Sequence, residues 1–523
     1  MVTRRSFLQW TAAAAVGGPL LALGGRSMAS AATRLPITVV NNTGLYPNSA
    51  IWMYIVGTNS ATGQQSYVRA DGTLVAVSPS LNGPDGYADL SIPLASSGNS
   101  GISLTNMSGR IYFSINQKLK FRVVTDGNGR SALQYPAGWV SSDPSYSVLH
   151  DCMEFTFADS GMYCNTTMVD MFSIPMAINL VGSRNQTTGT LKAGGRDAIF
   201  AGVSALPAFK PLVLGNNLRV IAPGHGIEAG LFSSTYYDQY VTDVWNTYTG
   251  TDLRVKINTT THTGRVSGGQ LRFSGGVAPF NKPTTKDIFY CNGALGAPND
   301  GLTGPVAAQL GAAFNRSTLR THPDQPVTDP SAYYQETISN HYSRVIHQNT
   351  VDGKAYGFPF DDVGDFASYI QDNAPTGMTL TLTPFGSGGT TPPTSGLLSG
   401  GRPAAASTTE NATTAASNAL DGNTGTRWSS AFADPQWLSV DLGSARSVNR
   451  VRLNWEAAYA TAYSIQTSAN NSTWSTVYST TTGHGGIEDL TFATTSARYV
   501  RVLGTARATA YGYSLWEFEV YGT

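Results

Sequence analysis

The sequence predicts a mainly β protein in two folded parts. The first is a β-sandwich or barrel carrying a mixed α/β lobe, with a groove between the two. The second is a separate β-sandwich. Three observations carry this reading. Short alternating runs broken by Gly, Asn, Asp and Pro fill most of the chain, the pattern of strands and turns. Tyr237, Tyr240, Val241, Val244, Trp245 and Tyr248 recur at three and four, the helical period. Residues 386–396, rich in Gly, Ser, Thr and Pro, have no apolar period and read as a linker.

At roughly 100–200 residues per domain, 523 residues suit two to four domains. Lys+Arg and Asp+Glu are both 33, so the formal charge is zero, which argues against a nucleic-acid binder or a polybasic membrane anchor. Only 13% of residues are charged, while Gly and Tyr are abundant. A surface of hydroxyls and amides rather than charge suits an exported, β-rich protein.

Residues 1–31 read as a targeting segment. Arg4-Arg5 precedes an apolar stretch through Val16 and Leu23, and Ala29-Ser30-Ala31 supplies a small-residue cleavage pattern. Paired arginines resemble a bacterial twin-arginine signal. The apolar run falls short of the ~20 residues that a membrane span needs. The expected mature protein begins near Ala32, is secreted, and has no membrane attachment.

The first folded part is expected over 32–385. It opens with the alternating run from Leu35 to Asn42 and closes with another from Met378 to Phe385. Terminal strands of this kind often pair. Ile51–Val56 and Lys118–Val124 read as further strands. Helices are expected at Pro305–Phe314 and Tyr333–His347, in a lobe of about 226–350. The linker takes 386–401 and the second part 402–523, with strands at Trp437–Leu442, Val448–Trp455, Tyr463–Ser468, Ala497–Leu503 and Leu515–Tyr521.

The richest stretch runs from His150 to Pro175. Two strand-like runs flank a loop containing Asp159-Ser160-Gly161, with Glu154 on the first and Asp170 on the second. If the runs pair antiparallel about Met162, the two carboxylates face each other, while Met153, Phe155, Val169 and Met171 point into a core. Two carboxylates on one wall are what glycoside hydrolysis needs: one holds a proton for the leaving oxygen and the other stays ionised. The plainer alternative is two solvated acids beside a hairpin.

Four segments together resemble glycoside hydrolase family 64: Leu35–Gly44, Met153–Phe157, Asn165–Pro175 and Phe358–Val363. The resemblance implies a thaumatin-like fold and an endo-β-1,3-glucanase acting on curdlan- or laminarin-type glucan, with short products such as laminaripentaose. It implies inversion, with Glu154 as general acid and Asp170 as general base. Asp143, Thr156 and Tyr163 would contact substrate. No cofactor is needed for this chemistry, and the seven histidines, His341 and His347 among them, show no ligand spacing. A non-catalytic thaumatin-like glucan-binding protein, or an adhesin, is the alternative. Cys152, Cys164 and Cys291 allow at most one structural bridge, either Cys152–Cys164 or a pair involving Cys291.

In the second part, Asn418–Ser430, Gln436–Gly443, Arg498–Val502 and Tyr513–Tyr521 resemble a discoidin or coagulation-factor type C domain, the galactose-binding-like jelly roll also seen in carbohydrate-binding module family 32. That resemblance implies a structural calcium held by Asp421, Thr426 and Glu517. Tyr459 and Arg507 are the candidate glycan contacts, with Trp428 and Trp437 in the core. A monomer is expected.

Overall fold

The computed structural model describes residues 34–386 and 396–522, apart from Asn216 and Asn299. The expected targeting segment and the centre of the linker lie outside the described residues. The chain forms two compact units, one ending at Gly389 and one beginning at Thr390.

The first unit is built on two facing sheets. Their strands are β1 (Arg34–Asn41), β2 (Ile51–Asn59), β3 (Gln65–Val68), β4 (Leu74–Ala76), β5 (Ser100–Thr105), β6 (Met107–Ile115), β7 (Leu149–Ala158), β8 (Gly161–Asn165), β9 (Met176–Val181), β10 (Asn185–Thr188), β11 (Tyr369–Asp372) and β12 (Gly377–Leu382). One sheet has the order β10-β9-β12-β1-β5; the other runs β11-β8-β7-β6-β2-β3-β4, with Ile92–Pro93 beside β2. The terminal strands do pair: β1 lies parallel to β12, with Ile37 opposite Met378 and Asn41 opposite Leu382.

Strand alternation explains the core. Leu35, Ile37 and Val39 of β1 pack with Ile55, Ile111, Phe113, Met153, Phe155, Leu380 and Leu382 in one apolar layer between the sheets. The strand expected at 118–124 is shorter, Arg122–Thr125.

The second lobe of this unit carries the helices α1 (Gly195–Ser204), α2 (Pro223–Glu228), α3 (Asp238–Gly250), α4 (Thr285–Tyr290), α5 (Thr303–Asn315) and α6 (His341–Asn349). The periodic residues of α3 are all buried in one core with Phe172, Ile221 and Leu310. The helix expected over 333–347 begins only at His341, where the Asn340 side chain caps it by accepting from Ser343 N at 3.2 Å.

The second unit is a β-sandwich whose main strands are β13 (Gln436–Trp455), β14 (Ala460–Ser468), β15 (Ser475–Thr480), β16 (Ile487–Arg507) and β17 (Ser514–Gly522). Two strands expected at 437–442 and 448–455 are one continuous strand, bent by register shifts between Asp441 and Arg450. Trp428 sits in the core as expected, whereas Trp437 is only half-buried.

Candidate active site

The sheet β11-β8-β7-β6-β2-β3-β4 carries two polar cross-strand rows on the face turned away from the apolar layer. One cross-strand row holds Val56, Arg110, Glu154, Asn165 and Tyr369. The next holds Thr58, Ser108, Thr156, Tyr163 and Gln371. Ile111, Met153, Phe155 and Cys164 alternate with these rows and face the apolar core. Thr156 shares a hydrogen bond with Ser108 at 2.8 Å, and the Tyr163 hydroxyl donates to Ser160 O at 3.3 Å.

Glu154 does not face Asp170 across a hairpin. The hairpin turns at Asp159-Ser160, so Ala158 pairs with Gly161 and Glu154 with Asn165. The expected centre at Met162 is wrong because Gly161, at φ 129°, closes a tight turn that a longer loop would not need. Asp170 lies beyond the end of β8, on the segment that crosses into the helical lobe. There Met171 pairs with Ile221, and Asp170 O accepts from Ala222 N at 2.9 Å.

The two acids meet through a third residue that the sequence reading missed. The Arg110 guanidinium donates to Glu154 Oε1 from Nη2 at 2.7 Å and from Nε at 3.1 Å, and to Asp170 Oδ2 from Nη1 at 3.1 Å. A single planar fork between them puts the bonded oxygens no more than roughly 8 Å apart. Burial alone would depress the Arg110 pKa. The neighbouring Tyr112, Glu154, Cys152 and Asp170 outweigh it and hold the guanidinium well above its ordinary value. Glu154 is 3% exposed, and its Oε2 is buried with no hydrogen-bond partner, as are Asn165 Oδ1 and Thr167 Oγ1. Buried acceptors without partners are costly and suit a ligand's hydroxyls.

Asp170 has a second missed neighbour. His225 Nε2 lies 2.8 Å from its Oδ1. His225 sits on α2, begun by Pro223 at the first turn, directly after the residue that bonds the Asp170 backbone. No histidine spacing could have signalled it, because Asp170 and Tyr290 come from other segments.

Asp143 anchors a loop beside the site. Its carboxylate accepts from Ala137 N at 3.0 Å and Ser145 N at 2.8 Å, closing the loop that carries Trp139. It shapes this loop from within. The conspicuous acid of the Phe358–Val363 segment is also internal. Asp361, fully buried, binds Arg316 at 3.0 Å and His347 at 2.9 Å. Burial pushes its pKa up, but His347 and Arg316 prevail and hold it below the ordinary range. His347 is thereby accounted for.

No cysteine bridge forms: Cys152, Cys164 and Cys291 are all free and buried. Cys152 lies in a cluster with Tyr54 and Tyr112, whereas Cys164 packs in the core on the other side of the sheet. The Cys152–Cys164 bridge fails because the two side chains point to opposite faces.

In the second unit, Tyr459 packs against the core, with its ring beside Gly485. Arg507 is tied by Nε to Asp434 Oδ2 at 3.2 Å and by Nη1 to Ala510 O and Tyr511 O, both at 3.2 Å. The exposed rings nearby are Phe432 and Tyr511, 50% and 64% exposed, edge to face at 5.7 Å. Asp421 accepts from Thr426 Oγ1 at 2.7 Å, and Glu517 is buried with Oε1 unpartnered. Burial and then Asp421 push the Glu517 pKa up to about 7. Among the described residues no group of three or more His, Cys, Asp or Glu side chains is gathered to hold a metal.

Comparison with known proteins follows this division. The family model described as β-1,3-glucanase of glycoside hydrolase family 64 matches residues 33–382, and one described as a NedA-like galactose-binding domain matches 418–502. A glucan endo-1,3-β-glucosidase of Cellulosimicrobium cellulans is 35% identical, over 74% of this chain and 73% of its own. A laminaripentaose-producing β-1,3-glucanase, solved with laminaritetraose, is 37% identical over 68% of this chain and 99% of its own, with a TM-score of 0.63. A family 64 β-1,3-glucanase domain from Clostridium beijerinckii is 26% identical over 68% and 100%, with a TM-score of 0.60.

Proposed function

The chain belongs to the family 64 β-1,3-glucanases and is a glycoside hydrolase, and from that premise we propose that it cuts β-1,3-glucan internally with inversion, using Glu154 as acid and Asp170 as base. The observation that carries this reading is the pair of carboxyls joined by Arg110 on a polar wall. Acid–base division of labour requires one carboxyl that holds a proton and one that stays ionised. Glu154, with Oε2 unpartnered, delivers that proton to the glycosidic oxygen. Asp170 takes one from the attacking water on the opposite face.

Thr156 and Tyr163, in the row beside Glu154, are proposed to contact the sugar through hydroxyl and ring. The structural relative named for laminaripentaose production supports a pentasaccharide product here. The paired arginines at positions 4 and 5 support secretion by the twin-arginine route. In the second unit, the exposed rings Phe432 and Tyr511 beside Arg507 support glycan binding, which would raise the local enzyme concentration on an insoluble polymer. Asp421, Thr426 and the unpartnered Glu517 oxygen fit a hard cation such as calcium, which would lock the 421–426 loop to β17.

The test is product analysis on curdlan and laminarin by chain length and anomer. Release of α-anomeric laminaripentaose supports the reading. Initial β-anomer would overturn inversion, and full activity of Glu154→Gln on a natural glucan would overturn the acid.

A further inference from the structure

We propose that His225 is a positioning residue for Asp170, fixing the orientation of the carboxylate toward the attacking water. The proposal rests on the reading of Asp170 as the base.

The geometry around the ring is closed. Nε2 meets Asp170 Oδ1 at 2.8 Å, and the side chain is 6% exposed. Trp139 lies flat against the imidazole, 4.0 Å between centroids and 17° between planes. Nδ1 has the Tyr290 hydroxyl at 3.0 Å and Glu228 Oε2 at 3.4 Å. Gly224 admits this arrangement, since a Cβ there would meet the Tyr290 ring at 2.8 Å. With a Trp face on one side and a hydroxyl at its far nitrogen, the ring has little freedom to turn.

The result is a carboxylate gripped at both oxygens: Oδ2 by Arg110 and Oδ1 by His225. Rotation of Asp170 would break one bond or the other. A base held this way needs no reorganisation when the water arrives. The grip also makes Asp170 sensitive to the charge of the imidazole, because an imidazolium would add a second cation to Arg110. The ionisable groups facing His225 include Asp170 from the crossing segment, Glu228 on its own helix, and Tyr290 on α4. Lys286 of α4 stands behind Glu228 at 3.0 Å. His225 comes first among the interactions lowering the Glu228 pKa to about 2, so that partner stays anionic.

The test measures kcat, KM and the pH profile of the full chain on soluble laminarin for His225→Ala, His225→Gln and Tyr290→Phe. For His225→Ala, kcat should fall about 10- to 100-fold with KM nearly unchanged, and the acid limb of kcat/KM should move. His225→Gln, whose amide can still donate to Oδ1, should recover part of kcat. Tyr290→Phe, which leaves Asp170 untouched, should move the limb with a smaller loss. A kcat within twofold of wild type in His225→Ala, or a loss with an unmoved pH profile, overturns the proposal. If His225→Ala does not fold, Tyr290→Phe decides, and an unmoved pH profile there overturns the proposal. Asp170→Asn separates the two readings. Should it remain active, the assignment of the base fails; should it be inactive while the His225 variants behave as wild type, only the positioning role fails.

Discussion

Arg110 holds Glu154 by two nitrogens, Nη2 at 2.7 Å and Nε at 3.1 Å, while its third reaches Asp170. Replacing it with Met leaves two carboxylates close together with no cation between them. We expect kcat on laminarin to fall at least about 100-fold, because both acids lose their orientation. Uncompensated buried charge should also cost about 3 kcal/mol of stability. Arg110→Lys should restore little, since an ammonium cannot span both carboxyls as a planar fork does. Kinetics and urea unfolding of the two variants check this.

Glu154→Gln and Asp170→Asn should each reduce turnover by about 1,000-fold or more while thermal unfolding stays near that of the wild type. Glu154→Gln keeps an acceptor for Arg110, so a large loss of stability would point to a structural role instead. Reducing-sugar release and calorimetry, read together, settle each variant.

Glu517 gives a pH dependence to the second unit. Its folded pKa of about 7 lies above the ordinary carboxylate value of about 4.5, so the folded state binds its proton more tightly than the unfolded state does. Stability from this group is therefore complete below about 4.5 and is lost as pH rises through about 7. The unfolding temperature of this unit should fall by several degrees across that window. Calcium should reverse the fall at pH 7, and Glu517→Gln should abolish both effects. Calorimetry at pH 4.5 and 7.5, with and without calcium, reads all three.

Phe432 and Tyr511 should act on insoluble glycan alone. Replacing both with Ala should weaken binding to the polymer about fivefold or more, at roughly 0.5–1.5 kcal/mol per ring contact. Hydrolysis of soluble laminarin should stay unchanged. Pull-down and laminarin kinetics on the same preparation test the separation.

The three thiols should be silent in the native protein. Burial pushes all of them up, Cys164 by desolvation alone and Cys152 despite the nearby Arg110. Ellman's reagent should detect three thiols in denaturant and almost none without it, and reductant should leave the unfolding temperature unchanged.

Much of the fold was legible because it rests on local periodicity. The alternation in β1 and β12 marked both as half-buried strands, and the spacing from Tyr237 to Tyr248 marked a helix face. Where the pattern failed, a tertiary constraint prevailed. The bulges in β13 bend one strand where turn residues suggested two. Asn340 caps α6 and so starts it at His341, later than the expected Tyr333.

The sequence by itself determined which acids stand in the pattern of a glycoside hydrolase, because composition and motif survive without coordinates. Only the tertiary structure decided how they are joined. Arg110 lies 44 residues before Glu154, and His225 lies 55 after Asp170. Contacts of that separation arise from strand register and lobe packing, which local periodicity does not encode.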